Sequence, residues 1–205
     1  MRRAADRCAA VIRSMEWGAR LYYLGEGAAF LLAILSVAVA YLWNYWDPIY
    51  GVLLPTIAVA IAIVPHELAH RQAARSMGCL SRFVLWPTGF LTTLILNGIV
   101  GFIAGGPILF ISGYTAISCY RYGTSQEGLI SLAGPATNIA ISALSLILLH
   151  AVTGWSVFLQ YLSRLNAFVA FFNLLPLGVL DGAKIFKWNI AVWAGMLALS
   201  VLLWI

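Results

Sequence analysis

From Ile49 to Pro65 the chain carries no charged side chain, and directly behind that run it reads His66-Glu67-Leu68-Ala69-His70-Arg71. About 17 residues of helix span roughly 25 Å, most of a hydrocarbon layer about 30 Å thick. The ionisable residues that follow therefore sit at membrane depth, close to one face. Each costs at least about 2.5 kcal/mol there by insertion scales, so three together need a shared purpose. The whole chain agrees: 62% of its 205 residues are apolar and 9% charged, against about 25% charged in soluble domains. A water-soluble enzyme, a disordered chain and a disulfide scaffold are excluded, which leaves an integral membrane protein of one domain.

The spacing predicts helices over Gly27–Trp46, Ile49–Met77, Leu129–Ala151, Trp155–Leu175 and from about Ala183 to Ile205, with Asp47-Pro48 as a turn and Pro176–Gly182 as a loop. Between the second and third of these, residues 83–118 are uncharged but broken by Pro87, Gly89, Asn97, Gly98, Gly101, Gly105, Gly106 and Pro107. Irregular backbone survives at membrane depth only where protein or a water-filled cavity covers it. The expectation is an all-α polytopic membrane protein of about five to six transmembrane helices, with a re-entrant or short β segment between the second and third firm helices. Tyr114 to Gly128 reads as a polar connection, and Gly134-Pro135 as the point where the third helix starts close against a neighbour.

Residues 1–20 are basic (Arg2, Arg3, Arg7, Arg13, Arg20) and read as a retained amphipathic segment on the cytoplasmic side, ahead of a membrane core over 21–205. If 83–118 enters and leaves by one face, Arg71, Arg75, Arg82, Arg121, Lys184 and Lys187 all fall on that side too. Basic loops suit anionic lipid, and no basic stripe with interleaved aromatics suggests nucleic acid. Trp17, Trp43, Trp46, Trp155, Trp188 and Trp204 fit interfacial belts, and His150 reads as structural. Cys8, Cys79 and Cys119 suggest neither a disulfide framework nor a CxxC metal site.

His66 and His70, at i and i+4, share one helix face and can reach one metal ion, while Glu67 can reach a water on that metal. Zinc lowers the pKa of such a water toward about 7, and the carboxylate takes its proton. By chance an HExxH arises in roughly half a percent of chains this long, which favours the metal over two helix-surface histidines. A catalytic zinc takes three protein ligands and keeps one open position. Asp181, behind Asn173-Leu-Leu-Pro-Leu-Gly-Val-Leu, fits either a third ligand or the N-cap of the last helix. Asn138, in Ala133-Gly134-Pro135-Ala136-Thr137-Asn138, fits either a substrate or oxyanion contact or an interhelical hydrogen bond. Pro65 frees the Ile61 carbonyl, so a kink is expected, for function or for packing.

HExxH in a membrane helix, then GPATN, then NLLPxxxLDG, resembles the site-2 protease family of intramembrane zinc metalloproteases. The three motifs cover most of the core from the second helix to the last. The resemblance implies His66, His70 and Asp181 as ligands of one zinc ion, Glu67 as general base, Asn138 in contact with substrate or oxyanion, and Asn173 ordering the loop before Asp181. This chain has Gly178 and Val179 where many members have two prolines, and no PDZ or nucleotide-sensing (CBS) insertion is expected.

The expected activity is hydrolysis of a peptide bond within or near a transmembrane segment of a membrane-protein substrate. The freed substrate backbone needs partners, and Ser81–Trp86 is either an edge strand for β-addition or a plain connection. Arg164 and Asn166 read as a snorkelling arginine and a packing hydrogen bond rather than a substrate path. The alternative function is a non-proteolytic membrane metal transporter or scaffold.

Overall fold

The computed structural model describes residues 24–44, 46–104, 106–119, 123–152 and 154–205. The basic segment 1–20, with Trp17, Cys8 and the first five arginines, and Arg121 lie outside the described residues.

Helix α1 (Glu26–Ala38) tightens into a 3-10 helix over Val39–Asn44. Asp47 then caps the next helical segment, its Oδ1 accepting from Tyr50 N at 3.0 Å. Pro48–Leu53 winds more loosely and runs into α2 (Leu54–Ser76), which continues through Pro65. Gly78, at φ +78°, turns the chain out of α2. Strand β1 (Leu80–Leu85), α3 (Pro87–Ala104) and β2 (Gly113–Ser118) follow, then α4 (Thr124–Ala151) and α5 (Ser156–Leu174). The last expected helix is two, α6 (Asp181–Trp188) and α7 (Ile190–Trp204). Asn189 breaks it: its backbone is extended, and its Oδ1 accepts from Ala191 N and Val192 N, starting a new helix.

Among the described residues, three helices are long and apolar enough to cross a membrane, over Glu26–Trp43, Pro48–Ser76 and Thr124–Ala151. Pro87–Gly101 and Ile190–Trp204 are shorter apolar helices. Large apolar side chains such as Ile99, Ile147 and Leu202 are exposed on the outer faces, as lipid-facing residues are. Inside, small residues let helices approach: Ala58 and Ala62 of α2 pack with Val37 and Tyr41 of the first helix and Leu162, Leu165 and Val169 of α5. A second cluster sets Ala29 and Ala33 of α1 against Phe83 and Leu85 of β1, with Phe30 stacked on Phe83 at 4.1 Å. A third joins Ile139 of α4, Ala170 and Leu174 of α5 and Ile185 of α6.

The punctuated segment contains both kinds of structure expected of it. β1 and β2 pair antiparallel, Leu80 opposite Ser118 and Leu85 opposite Gly113, so the excursion through α3 returns to its starting point. The irregular return strand is made tolerable by side chains of α3. Asn97 Oδ1 accepts from Ile108 N and Leu109 N, its Nδ2 donates to Leu109 O, and Thr93 Oγ1 accepts from Ile111 N. Cys79 and Cys119 flank the paired ends and form a disulfide, a correction to the expectation that the cysteines supply none. Forty positions separate them in sequence, and only the strand pairing brings them together.

Helix α4 begins at Thr124, so the polar connection is shorter than expected and Gly134-Pro135 lies inside the helix rather than at its start. A Cβ on Gly101 would lie 2.7 Å from Ala40 Cα, whereas one on Gly98 meets nothing nearer than Val39 Cγ2 at 3.8 Å. Gly101→Ala is expected to destabilise by about 1–3 kcal/mol and Gly98→Ala to be neutral or mildly stabilising. Thermal unfolding of the two variants in detergent checks this.

Candidate metal centre

The i,i+4 spacing places His66 and His70 on the inner face of α2, 4% and 6% exposed. Asp181 is the first residue of α6 and comes to them from the far end of the chain. Its Oδ2 lies 3.4 Å from His66 Nε2 and 3.0 Å from His70 Nε2, and the two Nε2 atoms are 3.0 Å apart.

The turn that delivers Asp181 is built from its own backbone, with Leu177 N donating to Leu175 O and Leu180 N to Leu177 O. Gly178 adopts φ +48°, a conformation closed to proline, so the departure from the two-proline pattern is a different turn in this chain. Gly182 lets α6 abut the end of α5: a Cβ there would sit 2.1 Å from Leu174 O. Asn173 lines the cleft and donates to Val169 O in its own helix.

The imidazoles are held by their other nitrogens. His70 Nδ1–H donates to Ile130 O at 2.7 Å, and His66 Nδ1–H donates to Asn138 Oδ1. The orientation of the Asn138 amide is set by its Nδ2, which has two acceptors, Ala62 O at 2.9 Å and Asn166 Oδ1 at 2.8 Å. Oδ1 must then face His66, which puts the ring proton on Nδ1 and leaves the Nε2 lone pair toward Asp181. Asn138 is fully buried behind His66, with both amide protons committed. Its side chain is therefore an interhelical hydrogen bonder with no donor left for an oxyanion.

With both imidazoles neutral, three acceptor atoms point at one another, an arrangement that repels unless a proton or a metal ion lies between them. Two neutral imidazoles and a carboxylate, within 4.8 Å of one another, match the donor set of a catalytic zinc with an open position. Room for an ion comes from Gly134, where a Cβ would stand 2.3 Å from His70 Nε2 and 2.6 Å from His66 Nε2. Lys184, one turn into α6, places Nζ 3.9 Å from Asp181 Oδ1, on the oxygen that faces away from the imidazoles.

These residues open into a cleft of about 530 Å³ that Glu67 also lines. Thr115 of β2 donates its hydroxyl to Glu67 Oε2 at 2.7 Å, a contact that sequence reasoning missed because only the β1–β2 pairing sets Thr115 over α2. Phe83 N donates to Glu26 Oε1, a carboxylate that also accepts from Arg71 Nη1 at 3.0 Å. This occupies part of the outer edge of β1, where Arg75 Nη2 also donates to Ser81 O at 3.1 Å, so the edge expected at Ser81–Trp86 is partly covered. Because Phe83 turns its N–H away from its partner Thr115, the pair is of the non-hydrogen-bonded kind. Gly113, Thr115 and Ile117 of β2 therefore direct their backbone groups away from β1, on the strand that lines the cleft.

Comparisons with known proteins follow the same lines. The profile of peptidase family M50 matches residues 149–198, a window that includes Asp181 but not the HExxH helix. A Methanocaldococcus jannaschii protein named "putative zinc metalloprotease" is 34% identical over 172 residues, covering 80% of this chain and 85% of that protein. No solved structure matches significantly.

Gly134→Ala is expected to abolish binding of a divalent metal, because the added methyl occupies the space between the two Nε2 atoms. Metal analysis of the purified variant, with circular dichroism to confirm its helices, checks this.

Proposed function

The chain belongs to peptidase family M50, the site-2 proteases, and from that premise we propose that it hydrolyses a peptide bond within or near a transmembrane segment of a membrane-protein substrate. It is a zinc-dependent metalloendopeptidase. The observation that carries the reading is the meeting of His66, His70 and Asp181 beside Glu67, at the end of an apolar helix. In this reading His66 Nε2, His70 Nε2 and Asp181 Oδ2 hold the ion. Zinc supplies a Lewis acid that lowers the pKa of a water and polarises the scissile carbonyl.

The chain's own residues do the rest. Glu67 takes the proton of the attacking water and passes it to the leaving amine. Thr115 holds the Glu67 carboxylate in place over the cleft. A transmembrane helix hides its amides, so the substrate unwinds locally and its freed backbone needs partners. The cleft-side edge of β2, at Gly113, Thr115 and Ile117, offers them by strand addition. Asn138 acts on His66 rather than on the substrate.

The site lies toward one end of α2, and we place it with the N-terminus on the cytoplasmic side, from which water reaches it. The ionisable residues gathered here sit at one level. A transporter needs them along a whole path. Activity on such a substrate makes the protein an agent of regulated intramembrane proteolysis.

Glu67→Gln is expected to keep its zinc and to lose about 10²–10⁴-fold in cleavage of a membrane substrate, whereas Asp181→Ala loses the zinc. Cleavage retained by the Glu67 variant excludes the assigned base. Thr115→Val is expected to lower kcat about 10–100-fold, the weight of one hydrogen bond to a charged group, with zinc content unchanged and activity restored in Thr115→Ser. Steady-state kinetics in detergent or proteoliposomes separate these outcomes.

A further inference from the structure

Helix α5 crosses behind the metal centre and contributes no ligand to it. It does carry an asparagine that is fully buried in an apolar surround. Asn166 Nδ2 donates to Leu162 O at 2.9 Å in its own helix, which fixes the amide so that Oδ1 faces α4. That oxygen accepts from Asn138 Nδ2 at 2.8 Å. The other Asn138 proton goes to Ala62 O on α2, and Asn138 Oδ1 receives the His66 ring proton. Three helices are joined by this chain of bonds, and it ends on a nitrogen whose ring partner faces Asp181 and His70.

We infer that Asn166 is a positioning residue for the metal centre: it fixes which way the Asn138 amide lies, and through it which His66 nitrogen carries the proton. This rests on the assignment of His66 as a ligand. An asparagine is nearly symmetric in shape, so Asn138 can turn over unless its two ends are told apart. Ala62 O accepts from one proton of Nδ2 and Asn166 Oδ1 from the other. Without Asn166 one proton loses its acceptor in a dry interior, and the preference for this orientation weakens. With the amide reversed, Nδ2 faces His66 Nδ1, the ring proton moves to Nε2, and the nitrogen facing Asp181 no longer has a lone pair to give.

The same helix pair supplies a control. Ser142 and Ser163 share a hydrogen bond at 3.0 Å, one turn of α4 beyond Asn138, in the same buried seam between α4 and α5. It ties the helices together without touching the centre, so a merely structural role for Asn166 predicts that losing either bond has the same effect.

The test is zinc affinity of the full-length protein in detergent, read by competition with a chromogenic chelator. Asn166→Leu is expected to weaken zinc binding about tenfold, the lower end for partners that orient a metal ligand. Asn166→Asp, whose carboxyl oxygen still accepts from Asn138 Nδ2, is expected to stay within about threefold of wild type. The Ser142→Ala/Ser163→Ala double variant is expected to keep wild-type affinity even where its thermal stability falls. Asn166→Ser, too short to reach Asn138, reads the same quantity if the leucine variant does not accumulate. Wild-type affinity in Asn166→Leu or Asn166→Ser overturns the inference, as does an equal loss in the double-serine variant or a loss in Asn166→Asp as large as that in Asn166→Leu. A wild-type protein that binds no zinc overturns the ligand assignment itself, and the inference with it.

Discussion

A carboxylate and two imidazoles that turn their lone pairs toward one another inside an apolar bundle are stable together only around a cation. Much of this structure serves to keep them so turned. The two imidazoles are held at Nδ1 by groups on α4, the Ile130 carbonyl and the Asn138 amide, and the carboxylate is brought in by a turn that depends on Gly178 and Gly182. Gly134 completes the arrangement by being absent as a side chain. The GPATN and LDG segments thus meet HExxH at one place: one gives orientation and room there, the other a carboxylate.

The excursion through β1, α3 and β2 answers a different demand. Backbone that is neither helix nor sheet must still find partners at membrane depth, and here Asn97 and Thr93 provide them, while Ser36 and Ser112 meet at 2.6 Å. Once satisfied, the return strand lies beside the HExxH helix and its Thr115 reaches Glu67. Glu26 ties the assembly from the other side by joining Arg71, next to the second histidine, to the backbone of β1. The wall of the cleft is therefore hydrogen-bonded on both sides to the helix that bears the histidines or to residues beside it.

Much of this was legible in the residues. The uncharged runs located α5 closely, and α1 and α2 closely once the 3-10 and looser turns joined to them are counted, but started α4 five residues late; HExxH placed His66 and His70 on one face because helical periodicity is a local rule. Asp181 stood out because its motif frames it. Asn166 was read as a packing hydrogen bond, since a lone asparagine in an apolar helix looks the same whether it only bridges two helices or also orients a neighbour of the site. Asn138 was read as a residue facing either the substrate or a neighbour, and burial decides that question, which no motif records. The Cys79–Cys119 bond and the placing of β2 along the cleft were hidden for a similar reason: each depends on which strand lies beside which.

What the sequence determined by itself is the class of the molecule and the chemistry it carries, because hydropathy and i,i+4 spacing act over one or two turns of chain. The direction each donor faces was decided only by the tertiary structure. Those directions come from contacts between segments tens of residues apart, such as His66 with Asn138, Asn138 with Asn166, and Glu67 with Thr115. A hydrogen bond exists only when both partners are in place, and no stretch of sequence contains both.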